Sequence, residues 1–455
     1  MTTDSNWALD EFGLADLGDA RRTARLVRLA QEFGAQPSRS IPEASGSLAM
    51  SKAAYRFFSN EDIRSQAILD SHIASSIGRM QSQSLVLAVQ DSTSLDWSHH
   101  PATQGLGRIE SKFTQGLMAH TTLALTPEQV PLGILEQQQV WTRPDELQAK
   151  ERTKRSVDQK ESRKWLQSLA TVASLREACP QTHFVSVGDR EADVYDLFLA
   201  PRPEGVDLLV RAAQDRKTTH ECLYLWAAME SLPPAASMSV SMGARGKQQA
   251  RQVELEIRFQ RITLQKPRKR SVKLPEIELW AVWAVEAKPP EGIEPVEWML
   301  LTTMAVNDAD EAKERLSWYA ARWGIEVWHK VLKSGCQIES RQLTKADRLE
   351  RCLALYSVIA WRILYATMLA RAAPEVSCTA LLEPQEWQGL YCRIHRVPMP
   401  IQQPPTLKQA IRWIAQLGGF LGRKGDGEPG VTVIWKGFQH LVDIAAMFKI
   451  FCPSQ

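Results

Sequence analysis

With 455 residues, 44% of them hydrophobic and 24% charged, the chain is long enough for about two to four domains with substantial cores, which excludes a small stapled scaffold. Seven cysteines, odd in number, scattered and without a CxxC pair, exclude a zinc ribbon or a disulfide framework and point to a reducing cytoplasm. The net charge is only +3, so a nucleic-acid partner needs local basic patches.

The first residues, "MTTDSNWALDEFG", are acidic where a secretion signal is basic and then apolar. Residues 1 to about 75 predict helices: "WALDEFGLADLG", "DARRTARLVRLAQEFG" and "SLAMSKAAYRFFSN". In the second, Asp19 is placed to cap the start and Gly34 follows the end. Arg21, Arg22, Arg25 and Arg28 give it an arginine-rich face that suits phosphates and base edges; a solvated surface explains the same pattern.

From residue 84 the pattern changes. "SLVLAVQDSTSLDW" opens with a compact apolar run over Leu85 to Val89, as a central strand does, and carries Asp91 near its end. "LMAHTTLALTP" and "VPLGILEQQQVW" read as two more strands that could close an antiparallel meander with it. A charged helix follows in "SVDQKESRKWLQSLATVASLREA", with Trp165, Leu169, Val172 and Leu175 in helical register. "HFVSVGDREADVYDLF" gives a short strand, then Asp189, then a helix, and "GVDLLVRAAQ" a further strand.

Residues 216–303 predict a β-rich insertion: "VELEIRFQRITL" alternates with Val253, Leu255, Ile257 and Phe259 on one side, and "IELWAVWAV" and "EWMLLTT" follow. Arg245, Lys247, Arg251, Arg258, Arg261, Lys266, Arg268, Lys269, Arg270 and Lys273 stand here against Glu254 and Glu256, a local charge of +8 that suits a polyanion as well as solvated loops.

"SWYAARWGIEVWHKVLKSG" (317–335) reads as one helix whose surface is mostly apolar, through Trp318, Trp323, Ile325, Val327, Trp328, Val331 and Leu332. Tyr319, Arg322, Glu326 and Lys333 fall within about 60° of one another around an α-helical axis and make a single polar stripe. "CLALYSVIAWRILYATMLA" from 352 contains Arg362 and reads as a buried or amphipathic helix in preference to a membrane span. "HRVPMPIQQPP" (395–405) reads as a linker. "TLKQAIRWIAQLGGFLG", the loop "RKGDGEPG" and a last helix "GFQHLVDIAAMFKIF" complete the chain. In that last helix Phe438, Leu441, Val442, Ala445 and Phe448 form an apolar stripe, available for intrachain packing or self-association.

Among 52 acidic side chains, context singles out three. Asp91 and Asp189 follow buried-looking strands, and Glu326 sits on the polar line of a greasy helix. Carboxylates brought together repel unless a cation sits among them. Mg²⁺ or Mn²⁺ does this with few protein ligands, and two such ions support phosphoryl transfer. Arg322 and Lys333 would then grip flanking phosphates. Glu191 and Asp193 are understudies to Asp189. No GxSxG, Walker A, GxGxxG or HExxH offers a rival site.

"WYAARWGIEVWHKVLKSG" matches Tyr-x2-Arg-x3-Glu-x6-Lys, and with "DLGDARRTARLV", "YRFF", "DREAD" and "QLGGF" in the same order the chain resembles, nearly end to end, the bacterial DDE transposases of the insertion-sequence family with the Tyr-Arg-Glu-Lys signature, of the transposon-five type. The resemblance implies an α/β fold with an RNase H-like catalytic core (76–372) interrupted by the β-rich insertion, a helical N-terminal domain (1–75) that binds the DNA end, and a helical C-terminal dimerisation domain (373–455). Asp91, Asp189 and Glu326 match the metal-binding triad, for two Mg²⁺ ions or Mn²⁺ in their place. Tyr319, Arg322 and Lys333 match phosphate contacts, Trp298 the tryptophan that stacks a flipped base, and Trp323 an assistant in the same pocket. Arg21, Arg22 and Arg25 match an end-reading helix, and Arg211 is placed with the DNA contacts.

The implied partners are transposon-end and target DNA and a second copy in a synaptic complex, without a membrane, in a bacterial cytoplasm at the nucleoid. The implied activity is cut-and-paste transposition; a non-catalytic inhibitor of transposition and an RNase H-like nuclease are the alternatives. Gly324, where a relative has arginine, and "HRVPMPIQQPP", in place of a basic stretch, depart from the pattern.

Overall fold

A computed structural model describes residues 6–109, 111, 113–141, 162–219, 224–242, 251–267 and 274–452. The strands are β1 (Leu85–Asp96), β2 (Gly107–Arg108), β3 (Gln115–Leu125), β4 (Pro131–Trp141), β5 (His183–Gly188), β6 (Val206–Arg211), β7 (Ala236–Met242), β8 (Arg251–Leu264), β9 (Ile277–Glu286) and β10 (Glu297–Thr302). The chain forms two compact units. A sheet unit holds Gln81–Asp91 and Leu147–Trp323; a helical unit holds Met1–Met80, Ser92–Glu146 and Gly324–Gln455.

In the sheet unit the strands run β1-β5-β6-β10-β9-β8-β7. Leu85–Val89 pairs parallel with His183–Val187, and β5 is parallel to β6. The remaining neighbours are antiparallel, beginning with β6 against β10. The α/β expectation therefore holds as a large mixed sheet with helices at both ends of the sequence. Val86, Leu87, Ala88 and Val89 in β1 and Phe184, Val185 and Val187 in β5 are all buried, which is what continuous apolar strands covered on both faces require. Helix Arg163–Ala178 packs on β5 and β6 through buried Trp165, Leu169 and Val172, in the register expected from the sequence. Fully burying each such side chain stabilises the fold by about 1.5–3 kcal/mol.

Three expectations change in detail. β1 continues to Asp96, so Asp91 lies inside the strand and not near its end. The strands of 216–303 extend the same sheet through β10, and a short helix, Leu225–Glu230, interrupts them. In β8 Val253, Leu255 and Ile257 are buried as expected, but Phe259 is only half-buried and the inward set passes to Ile262 and Leu264. Of the basic patch, Arg245, Lys247, Arg268, Lys269, Arg270 and Lys273 lie outside the described residues, as does the start of the charged helix before residue 162. Arg251, Arg258 and Arg261 pair with Glu286, Glu256 and Glu278.

The helical unit begins with helices Trp7–Phe12, Ala20–Ala35, Leu48–Phe58 and Ser65–Met80, the second capped by Asp19 through the Arg21 N–H. β3 pairs antiparallel with β4. The 27-residue helix Ala346–Ala372 is long and apolar enough to cross a membrane, yet 78% of its most apolar stretch is buried, matching the core-helix reading. Its Arg362 lies over the Trp7 ring at 4.6 Å. Helices Pro384–His395, Leu407–Leu417 and Val431–Phe451 pack around Trp387, Leu390, Ile411, Ile414, Phe438 and Leu441. Phe438, Leu441 and Ala445 of the expected stripe thus face their own chain, while Met447, Ile450 and Phe451 are exposed.

Arginines tie the N-terminal helices to this frame. Arg341 donates to the Pro37, Arg39 and Cys336 carbonyls and lies over the Tyr356 ring; Arg351 donates to the Phe58 and Ile63 carbonyls and to Asp347. A buried network adds to them. Arg79 donates from Nη1 and Nη2 to the two Glu11 oxygens at 2.7 and 3.2 Å, and from Nε to the Leu132 carbonyl. His72 Nε2 accepts from the Ile134 N–H at 3.0 Å, so Nδ1 carries the proton given to Glu11. Gly133 makes this possible, because a Cβ there would come within 1.8 Å of Ser76 Oγ.

Candidate active site and nucleic-acid interface

Asp91 and Asp189 both follow the paired stretch of two adjacent parallel strands. Val89 faces Val187 in the last pair of that stretch; Asp91 lies two residues further on inside β1, and Asp189 two residues further on, just past the end of β5. Gly188 shapes the turn after β5: a Cβ there would meet the Ala192 Cβ at 2.4 Å, so glycine lets the following 3-10 turn, Arg190–Ala192, tuck under the strand end. Asp189 caps that turn, accepting the Glu191 N–H at 2.8 Å.

The understudies are occupied differently. Asp193 is buried and accepts from the Ala213 and Gln214 N–H groups and from Arg216, while Glu191 pairs with Lys164 at 3.1 Å. Asp193 is a fold-holding carboxylate.

Still within the sheet unit, Arg322 Nη1 lies 4.0 Å from Asp91 Oδ2, with the two side chains 13% and 20% exposed. The Arg322 guanidinium is 5.8 Å from the Tyr319 ring, which meets the Trp298 ring edge-on at 5.6 Å. Trp298 sits in β10 opposite Ala284 of β9. Arg211, at the end of β6, donates to the Glu297 carbonyl at 2.7 Å. Asp91, Arg322, Tyr319 and Trp298 thus form a connected run of acidic, cationic and aromatic side chains in which Tyr319 is buried and not on an open polar stripe. Trp323 departs from the sequence reading of a buried face: it is 57% exposed.

The stretch carrying the polar stripe is not one uninterrupted α-helix. The first segment, Ala309–Ala321, ends at Arg322, whose N–H turns to the Tyr319 carbonyl; a second covers Trp323–Lys330; a π-helical turn covers Val331–Gly335, where the Cys336 N–H reaches the Val331 carbonyl. A π turn resets the angle of Lys333 relative to the 100° spacing of an α-helix, and such turns occur often at functional sites. In the helical unit, Glu326 is on a segment anchored by buried Ile325 and Trp328. Lys333 Nζ lies 3.6 Å from Glu339.

In the N-terminal helices Arg21 is 91% exposed and bound to its cap Asp19, Arg25 is exposed, and Arg22 is turned inward to the Leu17 carbonyl and Asp62. Of the three, Arg21 and Arg25 present the open cationic face.

Among the described residues no group of three or more His, Cys, Asp or Glu is arranged to hold a metal ion. Carboxylates such as Asp91 and Asp189 are the donor type a hard divalent cation takes up.

Two stretches match known families. Residues 4–63 match the transposase DNA-binding family, and residues 358–449 match the transposase Tn5 dimerisation domain. The two matched stretches lie one near each end of the chain. Among solved structures it is similar to the piggyBac transposase in a cryo-EM synaptic complex with hairpin DNA, at 10% identity and TM-score 0.36, over 82% of this chain and 74% of that one. The match at 4–63 covers the helix bearing Arg21 and Arg25, and that at 358–449 covers the second half of the long buried helix, the two helices after it, and the last helix up to residue 449.

Sequence reading missed Glu339, which touches both Lys333 and the backbone of β1, and the arginines at 341 and 351. No local pattern marks them, since the partners that tie them to other elements lie 243 to 304 residues away.

Proposed function

We propose that this chain is a cut-and-paste DNA transposase that nicks the ends of its element, excises it through a DNA hairpin and joins it to target DNA. What supports the reading is that two stretches similar to transposase domains, one near each end of the sequence, flank the parallel strands that lead to Asp91 and Asp189, with Arg322 4.0 Å from Asp91. Asp91, Asp189 and Glu326 are the residues we assign to hold two Mg²⁺ ions, or Mn²⁺, which when bound supply neutralisation of charge on the attacking and leaving oxygens.

The chain's own side chains then divide the work. Arg322, Tyr319 and Lys333 hold phosphates next to the bond that breaks, through charge-assisted hydrogen bonds. Water cuts one strand, the freed 3′ hydroxyl attacks the opposite strand to close a hairpin, a second water opens it, and the same hydroxyl attacks target DNA. Trp298, with Trp323 and Arg211 near it in function, stacks the base flipped out at the hairpin tip. Arg21 and Arg25 read the end, Arg22 bracing their helix through Leu17 and Asp62, and two copies assemble through the C-terminal domain so that each cuts the end bound mainly by the other.

The test is to incubate the purified full chain with linear duplexes carrying the ends of its element, with and without Mg²⁺. Nicked, hairpinned and joined products are expected only with the metal; firm binding with no strand broken would reduce the protein to a DNA-binding regulator. Trp298→Ala separates the steps. Base stacking on an aromatic ring contributes about 1–3 kcal/mol. Hairpin formation should therefore slow by about 5- to 150-fold while the first nick proceeds at its usual rate. Equal losses in both steps would remove Trp298 from the hairpin pocket.

A further inference from the structure

We propose that Glu339 is an anionic placeholder for DNA: in the free protein its carboxylate occupies the position at Lys333 that a backbone phosphate takes in the complex. The inference rests on the assignment of Lys333 to a phosphate.

Glu339 lies in a 3-10 turn, Ile338–Ser340, directly after the π-helical turn that carries Lys333. Its Oε1 does two things at once. It accepts the Asp96 backbone N–H at 2.9 Å and stands 3.6 Å from Lys333 Nζ. The first contact fixes Glu339 to the end of β1, the strand that also carries Asp91, so the carboxylate is held in place by the fold and not merely drawn to the lysine. Both side chains of the ion pair keep 30% of their surface open, which leaves room for an incoming oxygen anion to replace the carboxylate.

A second carboxylate also feels the Lys333 charge. Burial pushes the Asp96 carboxyl up, but hydrogen bonds from Ser98 and the nearby His99 and Lys333 charges outweigh it and hold that carboxyl below its ordinary range. Lys333 is therefore a cation already serving two carboxylates, and a DNA phosphate has to compete with Glu339 for it. A half-exposed ion pair is a weak competitor, strong enough to hold Lys333 in position without DNA and weak enough to yield when DNA arrives.

Glu339→Gln removes the charge and keeps an oxygen for the Asp96 amide. Binding is measured by fluorescence anisotropy with a fluorescein-labelled blunt-ended DNA duplex, at fixed salt because phosphate contacts are salt-dependent. The expected result is a Kd lower by about two- to fivefold, the size of a half-exposed ion pair. The same change in a Lys333→Ala background should have no effect. Glu339→Ser, uncharged but shorter, must also tighten binding in the Lys333 protein, which separates charge from shape. Unchanged or weaker binding in Glu339→Gln, or an equal gain with and without Lys333, would overturn the proposal. If Lys333→Ala alone binds like the parent protein, Lys333 has no phosphate and the proposal fails with it. Strand cleavage that still depends on Glu326 would then leave the transposase reading standing.

Discussion

Glu326→Gln, Asp91→Asn and Asp189→Asn should each lower Mg²⁺-dependent nicking of end DNA by about 10³-fold or more, with end binding retained. Each swap keeps size and hydrogen-bonding oxygen but removes the negative charge that a hard cation requires. Stabilisation of the developing charge by such an ion contributes several kcal/mol, and every 1.36 kcal/mol is tenfold in rate. The control is close at hand in the sequence. Glu191→Gln, only two residues from Asp189, removes an exposed carboxylate from the mostly buried Lys164 and should leave the nicking rate within about twofold. Asp193→Asn disturbs the buried bonds to Ala213, Gln214 and Arg216, so it should lower the unfolding midpoint before it changes the chemistry. The assay is single-turnover nicking with a labelled duplex, run beside a binding assay. Full nicking by Glu326→Gln would refute the carboxylate assignment.

What could be read from the sequence follows from how local the cause is. The apolar run at Leu85–Val89 demands a two-sided buried strand whatever surrounds it, and so does the run at Phe184–Val187; their parallel pairing ends two residues before each of Asp91 and Asp189. Helix Arg163–Ala178 was legible from its apolar register. Helix Pro384–His395 escaped notice although Pro384 at its first position and the reciprocal Glu383 and Glu386 caps are start signals, because its apolar pattern is weak and Gly389 interrupts it. The breaks at Arg322 and Val331 in the polar-stripe segment were hidden for another reason. A π turn leaves the residue types unchanged, and only the Cys336 to Val331 hydrogen bond reveals it. Contacts made by Glu339, Arg341 and Arg351 depend on chain brought back from far away, which no spacing encodes.

The buried network around Glu11 follows the same logic and leads to the largest expected effect on stability. Glu11→Ala leaves the Arg79 guanidinium and the His72 N–H without their acceptor inside the helical unit. Removing one partner of a buried pair costs about 3–5 kcal/mol, whereas Glu11→Gln, whose amide oxygen still accepts one hydrogen bond, should cost less. Burial holds the His72 imidazole below its ordinary value despite the pull of Glu11. For Glu11, burial pushes the carboxyl up, but the charge and hydrogen bonds of His72 and Arg79 outweigh it and leave it lowered. Both shifts have the same sign in their effect on folding. The unfolded chain takes up protons at these two groups that the folded chain refuses, so their stabilisation is present at neutral pH. It begins to fade as the pH falls below the ordinary histidine value of 6.5, and fades further below the ordinary carboxylate value of 4.5. Urea unfolding of the parent protein and Glu11→Gln across this range gives the measurement. Below the ordinary carboxylate value of 4.5, where only the parent has a Glu11 carboxylate to protonate, the parent should lose stability faster than the variant, and parallel curves there would mean that Glu11 contributes nothing through its charge.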